Sequence, residues 1–209
     1  MKKPSAIDRR PQRVWFAVTL LFASYILCGC LQVRSYVDPK LPRASLADIQ
    51  PPQSPGQARP LQLTFEFQRN GSPHGGVTRQ VRPQIVRVLT DSKLFSSVSA
   101  RNSNEEARLE IVLNNLANIG DAAGKGFLTG LTFGGAGSLV TDSYVMSATF
   151  AAPGKPRVSK TYEHALHTTI GNKKGPEGLQ PKSVKEAFEE VVDQLMLNLL
   201  RDLQKEGAL

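Results

Sequence analysis

The sequence predicts an α+β domain of two layers, with a mostly antiparallel sheet of about four to five strands and two helices on one face. Apolar and polar residues alternate over 61–68 and over 107–117, which is typical of half-buried strands. Over residues 184–203, apolar side chains recur at helical spacing instead. Helices that cover one face of such a sheet give a two-layer α+β fold.

Two further strands are predicted as a hairpin. Residues 143–150 place an aromatic or apolar side chain at every second position, and residues 158–170 are rich in Thr and Tyr. Between them, residues 153–156 read Pro-Gly-Lys-Pro, which is a strong turn signal. A short strand or edge segment is also expected over residues 94–98.

The two helices differ in how clearly they are specified. Residues 76–91 have helical spacing, but Pro83 lies inside them, so we expect either a kink or a regular helix that begins there. The C-terminal helix is clearer, because Ser183 and Glu186 fit a capping box at its start. Together these elements predict one domain over residues 61–205.

The first 29 residues have the pattern of an export signal. Residues 1–13 carry five basic side chains and one acidic side chain, and residues 14–27 carry no charge. A basic region, a short apolar run and a small-residue cleavage site define a secretory signal peptide. The uncharged run has 14 residues, whereas a membrane-spanning helix needs roughly 20.

Leu27-Cys28-Gly29-Cys30 resembles the lipobox of bacterial lipoproteins. The resemblance implies cleavage between Gly29 and Cys30, with a diacylglycerol on the Cys30 sulfur and an acylated new amine. In lipoprotein sorting of enteric bacteria, Asp after the cysteine retains the protein at the inner membrane. Leu31 stands here, so the resemblance implies the periplasmic face of the outer membrane, with the inner membrane less favoured.

Cleavage changes the apparent composition. The chain has two cysteines, of which Cys28 leaves with the signal and Cys30 is lipidated. The mature chain then has neither a disulfide nor a free thiol, and its stability rests on its core. The net charge of +8 falls to +4, which is too small an excess to indicate nucleic-acid binding.

Residues 30–60 are rich in proline and lack a sustained apolar period. Such segments are extended and semi-rigid, which predicts a tether between the membrane and the domain. The alternative is an irregular arm packed along the domain, with contacts from Tyr36, Val37, Leu41, Leu46 and Ile49.

The order of elements is similar to small periplasmic α/β lipoprotein domains, such as those of curli-secretion-type and exopolysaccharide-export lipoproteins. Residues 35–39, 66–71 and 126–132 also resemble uncharacterised proteobacterial lipoproteins over most of the mature chain. The resemblance implies a fold rather than an activity.

Residues 119–142 form a glycine-rich insertion with seven glycines. Three of these glycines recur at intervals of four, which would let another backbone approach a helix closely. Three interpretations of the insertion are open: a flap packed on the sheet, a membrane-contacting or oligomerising element, and a ligand loop. The candidate contact residues are Gly126, Phe127, Leu128, Gly130, Leu131, Phe133 and Gly134.

No catalytic or metal-binding constellation is expected, and no cofactor. His164 and His167 lie three apart on a predicted strand, so they should point to opposite faces, and both are expected at a surface. The stretch at 120–126 has three residues between its glycines and lacks the hydroxyl residue of a phosphate-binding loop.

The sequence therefore favours a non-catalytic, lipid-anchored accessory or assembly component that acts by contact with a protein partner still to be identified. The alternative is a self-oligomerising lipoprotein whose insertion contacts the membrane in export or transport. An enzyme is a third hypothesis, and a deep pocket with convergent polar groups would favour it.

Overall fold

The computed structural model describes residues 32–54, 58–100, 107–117 and 137–209. Residues 32–209 form one compact unit. Its strands are β1 (Val33–Val37), β2 (Arg59–Arg69), β3 (Ser72–Pro73), β4 (Phe95–Ser99), β5 (Ala107–Ala117), β6 (Ser138–Ala151) and β7 (Val158–Ile170). Its helices are α1 (Gly75–Asp91) and α2 (Val184–Lys205), and a short 3-10 turn covers Leu46–Asp48.

The strands form one mixed sheet in the order β1-β7-β6-β5-β2-β3, with β4 also paired to β2. β2 runs parallel to β4 and β5, and the other pairings are antiparallel. The α+β class is confirmed. The expected four to five strands are too few, because the described sheet has seven.

Strand alternation builds the core. Leu61, Leu63, Phe65 and Phe67 of β2 are buried, and they lie beside the buried Ala107, Leu109, Ile111 and Leu113 of β5 in register. The intervening residues are mostly polar or partly exposed, and no helix of the described residues covers the opposite face of the sheet, which we call the open face. Both helices pack over the buried face and touch each other.

Helix α2 provides the centre of the helical layer. The Ser183 hydroxyl accepts from the Glu186 backbone N–H at 3.2 Å, while Glu186 accepts from the Ser183 backbone N–H at 3.0 Å. This is the predicted capping box. Phe188 then packs edge-on against Phe67 of β2 and tilted against Tyr144 of β6, so α2 joins distant strands.

Helix α1 runs through Pro83 without ending there. Pro83 is exposed while Val81 and Ile85 on either side of it are buried. The carbonyl that loses its hydrogen-bond donor to proline therefore faces the solvent side, where water can hydrate it.

The Pro-rich segment differs from the predicted tether. Val33–Val37 forms an edge strand against β7, and Tyr36, Ala44 and Ile49 are buried. The description as a packed arm therefore fits residues 32–50 better. The sequence of β1 has no clear apolar period. Its place in the sheet is determined by its pairing with β7 instead.

The third predicted strand begins earlier than expected. Residues 138–142, assigned to the glycine-rich insertion, are the first part of β6 and pair with the end of β7. The insertion as predicted over 119–142 is therefore too long at its C-terminal side, and its residues 119–136 lie outside the described residues.

Removing a core side chain should show that α2 holds the two layers together. Leu195 is fully buried, whereas Leu46 is 44% exposed. We expect Leu195→Ala to lower the free energy of unfolding by roughly 2–5 kcal/mol, because it leaves a cavity, and Leu46→Ala to change it by less than about 0.5 kcal/mol. Urea denaturation measures both, and equal losses would contradict this packing.

Candidate functional site at one end of the sheet

The residues predicted to carry function fall mainly outside the described residues. Gly29 and Cys30 precede Gln32, and the candidate contact residues over 126–134 precede Gly137. Lipidation and membrane contact therefore stay predictions. The structure does describe the three points where these segments join the domain, at Gln32, Ala117 and Gly137.

These three points lie at the same end of the sheet. Val33 and Ser138 both pair with Ile170, so β1 and β6 begin where β7 ends. Ala117 ends β5 opposite Asp142, which is four residues, or about 13 Å, further along β6. We call this the entry end of the domain, comprising the start of β1, the end of β5, the start of β6 and residues 170–174.

The entry end exposes apolar side chains. Of the five large hydrophobic residues that are exposed in the described part of the chain, Val33, Leu116 and Leu139 lie here and are 42%, 42% and 45% exposed. Single exposed hydrophobics are ordinary. Three at one end of one sheet give this end a partly apolar character.

The entry end also exposes cations. Arg34, Lys173 and Lys174 are all exposed, and within the described residues no carboxylate lies within ion-pair distance of them. By contrast, Arg157, Lys160, Lys182 and Lys185 of the same half of the chain each pair with a glutamate. The entry end therefore carries three positive charges that no carboxylate of the described residues offsets by an ion pair.

Gly137 allows the chain to pass close to the loop after β7 before β6 begins. Gly137 has a φ of +66°, and an added Cβ would lie 2.5 Å from the backbone nitrogen of Lys173 and 2.7 Å from the carbonyl oxygen of Ile170. Any other residue would push the loop after β7 away. The start of β6 and the cationic loop are thereby held in close contact.

The entry strand is fixed on both of its edges. Beside its ladder with β7, Ser35 exchanges two backbone hydrogen bonds with Lys182, at 2.9 and 2.8 Å. The backbone N–H of Gly171 donates to the Gln32 carbonyl at 2.9 Å. The chain is therefore held from Gln32 onward, only two residues after Cys30.

A polar array locks the end of β1. His167 lies on the open face, where its Nδ1 is 2.9 Å from the Thr141 hydroxyl and its Nε2 is 3.3 Å from Asp38 Oδ2. The Asp38 backbone N–H donates to the Ala165 carbonyl. Hydrolytic triads use the same three kinds of group in this order. Here the three side chains link the residue after β1 to β6 and β7. Sequence reasoning missed the array because its members are 26 and 129 residues apart.

His164 and His167 point to opposite faces, as their spacing predicts, but the expectation that both lie at a surface is wrong for His164. It is 6% exposed and lies among the residues under α2. Burial lowers the pKa of His164 from its ordinary value of 6.5, offset in part by the charges of Asp38 and Glu190. Burial in the fold therefore favours the neutral ring over the charged one.

In the described ranges, no three His, Cys, Asp or Glu side chains gather as a metal site would require. Within the same ranges, no helix is long and apolar enough to cross a bilayer.

Acid should destabilise the domain through His164. Because its pKa is lower folded than unfolded, the unfolded chain binds more protons below pH 6.5, and stability falls as pH falls through that region. We expect His164→Leu to lose less unfolding free energy between pH 7.5 and 5.5 than the parent chain. Urea titrations of both proteins at each pH test this. An unchanged pH dependence in His164→Leu would contradict it.

No protein-family model matches the chain, and none of the curated proteins compared with it matches. Among solved structures, rare lipoprotein B from Shewanella oneidensis is 11% identical over 71% of this chain and 93% of that chain, with a TM-score of 0.35. An uncharacterized protein is 13% identical over 75% and 95%, with a TM-score of 0.31. A PelC variant dodecamer from Paraburkholderia phytofirmans is 10% identical over 83% and 96%, with a TM-score of 0.32. The function is therefore inferred from the chain's own residues.

Proposed function

We propose that the chain is a periplasmic lipoprotein anchored through Cys30, and that it acts as a non-catalytic accessory or assembly component by contact with other proteins. The observation that carries the proposal is the position of β1. Its first residue, Val33, follows Cys30 by three residues, so the lipid is joined almost directly to a strand of the sheet.

This short connection decides which end of the domain faces the membrane. Three residues span at most about 11 Å, so a lipid on Cys30 keeps the entry end at the bilayer surface. The prolines over residues 39–60 follow β1. They therefore do not lie between the anchor and the domain, and they do not act as a spacer.

The chemistry of the entry end fits this orientation. Arg34, Lys173 and Lys174 are exposed there, and each Lys or Arg close to an anionic lipid surface contributes about 1 kcal/mol. Val33 and Leu139 add apolar surface. Two or more acyl chains anchor stably without this help, so the cations orient the domain rather than hold it.

Contact with proteins is the role that the open face supports. The face of the sheet opposite the helices carries alternate residues of β2, β5, β6 and β7 such as Thr64, Glu110, Ser147 and Thr161. It is broad, polar and uncovered by any described helix.

The lipobox favours the outer membrane as the location, since Leu31 rather than Asp follows Cys30.

A self-oligomerising lipoprotein with a role in export or transport is the second candidate. The observation that favours it is the attachment of the glycine-rich segment, which leaves at Ala117 and returns at Gly137, both at the entry end. If this end faces the bilayer, the uncharged run over residues 126–141 starts and finishes close to lipid.

The anchor is tested by metabolic labelling. In cells fed radioactive palmitate, the parent chain should incorporate label, whereas Cys30→Ser should incorporate none and should keep its signal peptide, because acylation precedes cleavage. Cys28→Ser is the matched control, since it changes a cysteine two residues away, and it should be labelled. Label in the Cys30→Ser protein would overturn the proposed anchor.

Molecular mass separates the two candidate functions. Light scattering on the lipidated protein in mild detergent should give the mass of one chain if it acts as an accessory component. A larger mass that returns to one chain when Leu128, Leu131 and Phe133 are all replaced by Ser would instead establish the self-oligomerising candidate.

A further inference from the structure

A cavity lies at the end of the sheet opposite the entry end. It is formed where β2, β4 and β5 begin and where β6 and α2 end, and it has a volume of about 720 Å3. This is within the range of about 300–1,000 Å3 that is usual for small-molecule sites. The 14 residues of β6 place it about 40 Å from the entry end.

The inner wall of the cavity is apolar. Phe95 and Phe150 lie with ring centroids 6.4 Å apart, and both line it. Further lining comes from aliphatic side chains of the strands and of the chain after α2, namely Leu94, Ala107, Ala152, Ala208 and Leu209. A wall of this kind is chemically suited to a hydrocarbon group.

The rim of the cavity is cationic. Four basic side chains, Arg59, Lys155, Arg201 and Lys205, line it together with one acidic side chain, Asp48. Arg201 has a carboxylate partner in Asp202, and the charges of Arg201 and Lys205 help to lower the pKa of Asp48, after its hydrogen bonds to Ser45.

Arg59 and Lys155 have no carboxylate partner in the described part of the chain. The Arg59 guanidinium donates to the Pro153 carbonyl at 3.0 Å, and the Lys155 ammonium donates to the Gly207 carbonyl at 2.7 Å. Pro153 and Lys155 belong to the same turn between β6 and β7, and both cations line the cavity. Neutral acceptors leave their charge available to an anion.

A strap closes one side of the cavity. Gln50 and Gln204 bond reciprocally, with the Gln50 N–H donating to the Gln204 side chain at 3.0 Å and the Gln204 amide donating to the Gln50 carbonyl at 2.5 Å. Pro51, Pro52 and Gln53, which follow, line the cavity. Two of the prolines that were predicted to belong to a tether, Pro51 and Pro52, thus form part of the cavity wall.

We propose that this cavity binds an amphipathic anion with a single acyl chain. The chain lies against Phe95 and Phe150, and the acidic head group, a carboxylate or a phosphate, meets Arg59 and Lys155. This goes beyond the proposed function and does not depend on the Cys30 anchor. It gives the domain a cargo or sensor site at the end of the sheet opposite the entry end.

Photocrosslinking tests the site on the lipidated protein in phosphatidylcholine nanodiscs. Three probes carry the same diazirine-labelled acyl chain, as palmitic acid, lysophosphatidic acid and lysophosphatidylcholine. We expect at least one acidic probe to label peptides containing Phe95 or Phe150 at least ten times more than lysophosphatidylcholine does. The ratio between the two acidic probes tells a carboxylate from a phosphate head group.

Two variants keep the test decisive. Arg59→Ala/Lys155→Ala removes the cations, and Ala152→Trp fills the cavity while the cations stay. Each should reduce labelling at least tenfold, whereas the exposed pair Lys40→Ala/Lys185→Ala, with the same loss of charge, should not. Equal labelling by lysophosphatidylcholine, label spread evenly over the surface, or labelling unchanged in both variants would overturn the proposal.

Discussion

The antiparallel pairing of β1 with β7 is the interaction on which the other features depend. It turns Val33–Val37 into the edge of the sheet, and the two backbone bonds between Ser35 and Lys182 cover the middle of that edge. Tyr36 is buried against Gly175, where an added Cβ would overlap its ring. The same pairing fixes Gln32 and therefore fixes where an anchor on Cys30 must lie.

The two ends of the sheet have different chemistry because the strands bring different segments to them. The start of β1 and the loop after β7 give one end exposed apolar residues and cations without carboxylate partners. The starts of β2 and β5 and the end of α2 give the other end a cavity with an apolar inner wall and a basic rim. The polar open face of the sheet lies between the two ends.

The sequence was most informative where an element's own pattern determines it. The alternation in β2 and β5 and the capping box of α2 each reflect local rules, so their positions could be predicted closely. β1 could not be, because its five residues have no period and the ladder with β7 defines them. The array of Asp38, Thr141 and His167 and the cavity at Phe95 and Phe150 also depend on tertiary contacts. The prolines after β1 were misleading, since a proline-rich composition does not distinguish a tether from a strap.

The proposed membrane orientation can be measured directly, because residues 31–209 contain no cysteine. Asn172→Cys places a fluorescent label at the entry end, and Gly154→Cys places one in the turn beside the cavity. In nanodiscs containing lipids with a nitroxide quencher near the head group, strong quenching at residue 172 and little at residue 154 is predicted, since the ends lie about 40 Å apart. Equal quenching, or stronger quenching at residue 154, would contradict the account.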